Sequence, residues 1–204
     1  MDGLTFRAGT QVDTERIARI INDPPGREAV AIAGCVEAAR DFGMALVRLP
    51  DSPQGWQRTV VGELDGDVVA VLQAGPSENA FTVTPRLAWL ALRILGVSVI
   101  TALPRQRARQ RVQVEPPGDS YYIAELDVDA AYRNRGIGGA ALDYAEAEAR
   151  HDGYRQMSLS TTTENPARRL YERHGFRVIE TKTDRMYERY TGIAGRHLMV
   201  KELS

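Results

Sequence analysis

The sequence predicts a mixed α/β (α+β) fold in a single domain spanning residues 1–204, on three observations. Strand-like and helix-like stretches alternate through its second half. Two β-rich runs flank the turn dipeptide Asp65-Gly66. The 204 residues, 43% hydrophobic and 26% charged, are enough for one core, and no linker-like composition divides them. A formal net charge of -1 gives no overall pull toward nucleic acid or membrane, so neither is expected as a partner.

Leu4 and Phe6 alternate within residues 3–8, which predicts a first strand. Asp13 can cap a helix that puts Ile17, Ile20 and Ile21 on one face, and Pro24, Pro25 and Gly26 break it. An alanine-rich helix is expected from about Arg27 to Phe42, ending at Gly43. Cys35, the only cysteine, excludes an intramolecular disulfide; its apolar neighbours predict a buried structural thiol. Thr59 to Leu64 and Asp67 to Gln73 form a hairpin, closed by Gly75-Pro76.

Residues 76–118 are the least patterned. Pro85 to Leu95 reads as a helix with proline at its start. Leu87 to Leu103 is nearly apolar, but it carries Arg93 and falls short of the ~20 residues of a membrane span. A helix packed on the domain or on a second subunit is the expectation. Arg105, Arg107, Arg109 and Arg111 then alternate with Gln and Ala, as a solvated face or as a contact for phosphate or an acidic partner. Beyond Pro116-Pro117-Gly118, strands are expected at Tyr121–Val128, Gln156–Ser160, Phe176–Glu180 and His197–Lys201. Helices are expected from about Gly136 to His151 and from Pro166 to His174. The N-terminus shows no charged-then-apolar signal pattern, so a cytoplasmic setting is expected.

The most informative segment runs from Leu126 to Gly139. A strand ends, a loop carries Arg133 and Arg135, and Gly136, Gly138 and Gly139 open a helix. Helix starts leave backbone N–H groups unpartnered and partially positive, and glycine lets an anion approach them. The segment therefore reads as a diphosphate site. A P-loop would need Gly-Lys-Ser/Thr, which is absent. A dinucleotide-binding turn is matched only by the weak pattern Gly136, Gly138, Ala141, and the next strand ends at Ser160-Thr-Thr without the expected acid. The third reading is acyl-CoA.

Here the chain resembles a known family. Arg133-x-x-Gly136-x-Gly138, with the preceding Leu126-x-Val128 strand, is similar to the signature of the GNAT (Gcn5-related N-acetyltransferase) superfamily. Ala167, Leu170, Tyr171, Gly175 and Phe176 resemble its second motif, in register and one strand later. The resemblance spans about Tyr121 to Ile179, extends to the first strand, first helix and hairpin, and is absent in between. It implies a mixed, mostly antiparallel central sheet flanked by helices, with splayed central strands; the stretch at about 76–118, outside the resemblance, is expected as a helical insertion before the central strand.

It also implies acetyl-CoA as cofactor and an N-acetyltransferase acting on a primary amine of a small molecule or peptide; the alternative is a noncatalytic acyl-CoA-binding module. The implied cofactor-binding residues are Leu126, Asp127 and Val128 of the strand, then Arg133, Asn134, Arg135, Gly136, Ile137, Gly138 and Gly139 of the turn. Asn165, Ala167 and Tyr171 of the second motif complete the set. Asn165 stands two residues before Ala167, where relatives carry asparagine three before it. Tyr171 is the implied general acid, since a phenol stays protonated at neutral pH. His174 fills a variable position and reads as an exposed helix-end residue. Glu125, the nearest acid in the central strand, is the candidate base; the base position of histone-acetylating relatives lies nearer Tyr122. Strand alternation sets Glu125 and Asp127 opposite Leu126 and Val128. The acceptor site falls to residues 22–56 and 76–118, and the insertion either caps it or forms a homodimer interface. No metal site is expected.

Overall fold

A computed structural model describes residues 3–49, 52, 54–77, 85–96 and 98–203; the start of the expected insertion, 78–84, lies outside the described residues. The elements are β1 (Leu4–Ala8), α1 (Thr14–Asn22), α2 (Arg27–Ala33), α3 (Val36–Arg48), β2 (Val60–Leu64), β3 (Asp67–Pro76), α4 (Pro85–Leu95) and α5 (Ser98–Arg111). They continue with β4 (Tyr121–Val128), α6 (Ile137–His151), β5 (Gln156–Thr162), α7 (Arg168–Arg173), β6 (Arg177–Thr183), α8 (Arg185–Thr191) and β7 (Gly195–Glu202). The strands form one seven-stranded sheet in the order β1-β2-β3-β4-β5-β7-β6. Every neighbouring pair is antiparallel except β4 and β5.

Apolar residues at alternate strand positions give the sheet two buried faces. On one, Leu72, Ile123, Met157, Leu159 and Met199 pack with Leu142 and Ala145 of α6 and with Tyr171 and Phe176. On the other, Val61 and Val71 meet Ile17 of α1 and Val47 of α3. Farther along that second face, Ala108 and Val112 of α5 pack with Tyr187 of α8 and Ile193. Each fully buried Leu, Ile or Met contributes roughly 1.5–3 kcal/mol of transfer free energy.

The hairpin, α4 and α6 fall where the sequence places them, but three expectations are corrected. The helix expected over 27–42 is two helices. Gly34 takes a left-handed φ of 97° and ends α2, and Cys35 swings to an extended φ of -150° to begin α3. Cys35 is exposed, not buried: its Sγ accepts from the Ala38 N–H at 3.4 Å as the N-cap of α3. Gly43 lies inside α3, where a Cβ would come within 1.9 Å of Asn22 Oδ1, so its smallness serves packing and does not end the helix. The arginine run belongs to α5, with Pro104 inside it; Arg109 pairs with Glu28 at 2.9 Å and Arg111 with Asp184 at 3.5 Å.

The sequence reading missed α8, which Asp184 caps by accepting from the Met186 and Tyr187 N–H groups and Gly192 ends at φ 68°. Among the described residues, no helix is long and apolar enough to cross a membrane.

Candidate functional site

β4 and β5 separate. They pair only through Tyr121–Met157, Tyr122–Ser158 and Ile123–Leu159. Beyond Ile123, the edge of β4 toward β5 has no strand partner, so the sheet opens a cleft along residues 124–128.

A second irregularity decides what lines that cleft. Against β3, Ile123 pairs with Ala74 and Glu125 with Gln73, leaving Ala124 as the extra residue of a bulge. Tyr122, Glu125 and Asp127 consequently face the α1 side, with Ser160 of β5 and Arg196 of β7. Leu126 packs toward the α6 side and Val128 against Ile137. The expected opposition of Glu125 and Asp127 to Leu126 and Val128 holds from the bulge onward.

Glu125 and Asp127 are half-buried and hydrogen-bonded to each other. Burial raises the proton affinity of both, and the neighbouring Asp127 charge raises that of Glu125 further, against an opposing effect of Arg196. The pair therefore retains a proton well above the ordinary carboxylate range. Tyr171 of α7 is 7% exposed and packs edge-on to Phe176. Burial pushes its hydroxyl pKa up, and the charges of Asp127 and Glu125 push it further; its ring packs in the cluster that holds Ile123 and Leu159, where β4 and β5 part. The structure thus brings together Tyr171, Glu125 and Asp127, which the sequence places 46 and 44 positions apart from the tyrosine (171 − 125 and 171 − 127).

The turn after β4 is exposed from Arg133 to Gly136. Asn134 and Gly136 hold left-handed φ values of 61° and 81°, which reverse the chain into α6. The first bond of α6 is Ala140 N–H to the Gly136 carbonyl at 3.0 Å, so the N–H groups of Ile137, Gly138 and Gly139 have no intrahelical acceptor. Arg133 Nε donates to the Val128 carbonyl at 2.9 Å, and the Arg135 guanidinium lies 5.2 Å from the Tyr132 ring centroid. A Cβ on Gly138 would stand 3.1 Å from Leu170 Cδ2, and one on Gly139 3.1 Å from His174 Nε2. These glycines let α6 approach α7, while Gly136 is required by its backbone conformation. Main-chain donors and two nearby guanidinium groups on an exposed turn fit a diphosphate.

Asn165 orders the second motif. Its Oδ1 accepts from the Ala167 N–H at 2.9 Å and its Nδ2 donates to Thr161 Oγ1 at 2.7 Å. Ala167 is the N-cap of α7. His174 is half-buried, not exposed, because its ring packs on Gly139 and its Nδ1 lies 3.3 Å from Asp143.

Sequence reasoning missed a basic cluster beside the cleft. Glu28 of α2 receives Arg196 Nη1 at 2.6 Å and Arg109 Nε at 2.9 Å. Arg196 also donates to Ser160 Oγ and to the Ser160 carbonyl, at 3.1 and 3.2 Å. The available signal was Arg196 itself, a charge two residues before the apolar Leu198 and Val200 on one face of β7.

Residues 38–176 match the Acetyltransferase (GNAT) family. No curated protein matches the sequence. Among solved structures, an N-acetyltransferase from Staphylococcus aureus Mu50 aligns at TM-score 0.64 and 17% identity, over 96% of this chain and 99% of its own. A structure described only as an acetyltransferase aligns at TM-score 0.60 and 23% identity, over 98% and 100%. The PaiA N-acetyltransferase from Thermoplasma acidophilum, solved in complex with coenzyme A, aligns at TM-score 0.57 and 13% identity, over 98% and 99%. At these identities the likeness is one of fold.

Proposed function

The chain belongs to the GNAT acetyltransferase family, and from that premise we propose that it transfers an acetyl group from acetyl-CoA to a primary amine in the cleft between β4 and β5. The observation that carries this reading is the convergence of Tyr171, Glu125 and Asp127 where those strands part.

Acetyl-CoA supplies an acyl group already activated as a thioester. The N–H groups from Arg135 to Gly139, with the Arg133 and Arg135 guanidinium groups, hold its diphosphate. The main chain of Leu126, Asp127 and Val128, on the edge of β4 that β5 does not cover, orients the arm that follows. Asn165 and Ala167 act indirectly, by fixing the start of α7 and hence the position of Tyr171.

The Glu125–Asp127 pair takes the proton an attacking amine must lose, its raised proton affinity matching that role. The Tyr171 hydroxyl, held protonated by burial and two nearby carboxyl groups, is the donor to a departing thiolate. Gathering the groups in one cleft adds the advantage of positioning. α5, from the expected insertion, caps the acceptor face through Arg109 and Glu28. Exposed Trp89 and Leu92 on α4 support a homodimer through the same insertion, which the gel-filtration elution volume of wild type against a Trp89→Ser variant would test.

The test is a thermal shift with acetyl-CoA, against NAD and ATP, followed by free-thiol release over an amine panel. Ligand at a hundred times its Kd adds roughly 2.7 kcal/mol. A shift with acetyl-CoA and thiol release with amines is expected. A shift with NAD instead would overturn the reading, and a shift without turnover of any amine would favour a binding module.

A further inference from the structure

We infer that the acceptor carries a carboxylate as well as its amine, and that the terminal nitrogens of Arg109 receive that carboxylate beside the positive charge of Arg196, while the Glu125–Asp127 pair faces the amine. The inference rests on the acyltransferase reading and names the substrate class of the same cleft.

A small cavity on the α1 side of the sheet is lined by Arg109, Gln113, Val114, Tyr122, Ser160 and Arg196. Two guanidinium groups converge there on one carboxylate, Glu28, at 2.9 and 2.6 Å, which leaves an excess positive charge. Arg196 is spent on Glu28 and Ser160. Arg109 uses only Nε, so among the described residues its two terminal nitrogens have no hydrogen-bond acceptor. A planar, singly charged acid matches that fork and that excess.

Beyond the cavity, farther along β4, the same face of the strand turns acidic. Tyr122 lines the cavity and shares a face with Glu125 and Asp127, three and five residues along β4. Tyr122 therefore joins the basic cavity to the acidic stretch of the cleft along one face of β4. A simple amine would satisfy only the acidic end, and a diamine would set a cation against Arg109. An amino acid, or a peptide that presents amine and carboxylate close together, satisfies both.

The experiment measures thiol release from acetyl-CoA with the common amino acids, their α-amides and the matching decarboxylated amines, using wild type and Arg109→Gln. The acids should exceed matched amides in kcat/KM by about tenfold or more, as for loss of one charge-assisted contact. Arg109→Gln should raise KM for the acids about tenfold, leave the acetyl-CoA KM unchanged and erode the preference. Arg109 is partly exposed, so the variant should fold; if it does not, the wild-type comparison of acid with amide decides. Equal or better use of amides or decarboxylated amines would overturn the inference and leave the acyltransferase reading standing. So would an Arg109→Gln defect of the same size for every acceptor. No turnover of any panel member, with acetyl-CoA still shifting the melting temperature, would also overturn it; no shift at all would remove both readings.

Discussion

Glu125 hydrogen-bonds to Asp127, two residues along the same strand, inside the opening between β4 and β5. Two acids so placed cannot both ionise without cost, and the folded chain holds their shared proton more tightly than the unfolded chain does. For such a group, stability is full below the unfolded pKa and is lost as pH rises through the folded one. Glu125→Gln removes the Glu125 share of this dependence and leaves that of buried Asp127. Melting temperatures across about pH 4.5 to 8 should show wild type losing stability relative to the variant as pH rises. A wild type that gains on the variant would mean that the pair titrates as ordinary acids. The variant should also lower kcat about a hundredfold in the thiol-release assay.

Tyr171→Phe keeps the ring against Phe176 and deletes only the hydroxyl. Turnover should fall about a hundredfold while the acetyl-CoA dissociation constant moves less than about threefold. Equal losses in turnover and binding would make the tyrosine a packing residue.

Gly136→Ala puts a Cβ on a backbone at φ 81°. It should cost about 1–2 kcal/mol in urea unfolding. It should also reduce the stabilisation that acetyl-CoA confers, because the turn presents the donors that precede α6. Full retention of that stabilisation would place the diphosphate elsewhere.

Asp13 accepts both Arg7 Nη1 and Nη2, at 2.7 and 3.0 Å, as well as the Thr10 N–H at 2.8 Å. The Arg7 bonds lead in drawing its pKa down to about 2 from 3.8. A depressed acid contributes stability above its unfolded pKa and loses it as pH falls toward the folded one. Asp13→Asn should therefore destabilise by about 2 kcal/mol at neutral pH, with the gap to wild type closing below pH 3.8. A gap independent of pH would point to packing alone.

Gly43→Ala should destabilise by about 1–3 kcal/mol in urea, although helix propensity alone favours the alanine by about 1 kcal/mol. The reason is Asn22, whose Nδ2 donates to the Ala18 carbonyl at 3.1 Å and whose Oδ1 occupies the space a Cβ would need. A stabilised variant would show that Asn22 relaxes freely.

Much of the fold was legible because its elements are punctuated locally. Asp65-Gly66 marks the hairpin, Gly136 the start of α6, and Leu4 with Phe6 the first strand. The misreadings share a cause. Gly34 and Gly43 look alike in sequence, yet one ends a helix by its φ and the other makes room for Asn22. Only the tertiary neighbour separates them. In α5, Pro104 and alternating arginines hide a helix that α2 and α8 stabilise from outside. The cap Asp184 and the terminator Gly192 did announce α8 and went unread.

The site divided along the same line. The turn and Tyr171 are motif-borne and local, so the sequence displays them. The grouping of Glu28, Arg109 and Arg196 joins three distant parts of the chain, and no periodicity within one segment encodes it. Asp127, read as a main-chain contact for the cofactor, lies in the structure within the carboxyl pair.

Ala124 acts on β4 as a frameshift acts on a message. A regular strand would set Ile123, Glu125 and Asp127 on one side, turning both carboxyl groups into the apolar layer of Leu142 and Met157 and Leu126 outward. The surplus residue inverts the phase of everything after it while leaving Tyr121 and Ile123 in the core. The chemistry of the cleft thus depends on a count as much as on identities. What has to be kept is the bulge: pairing 124 regularly would exchange the inside and the outside of the rest of the strand, whereas deleting it would make Glu125 follow Ile123 directly and keep the phase.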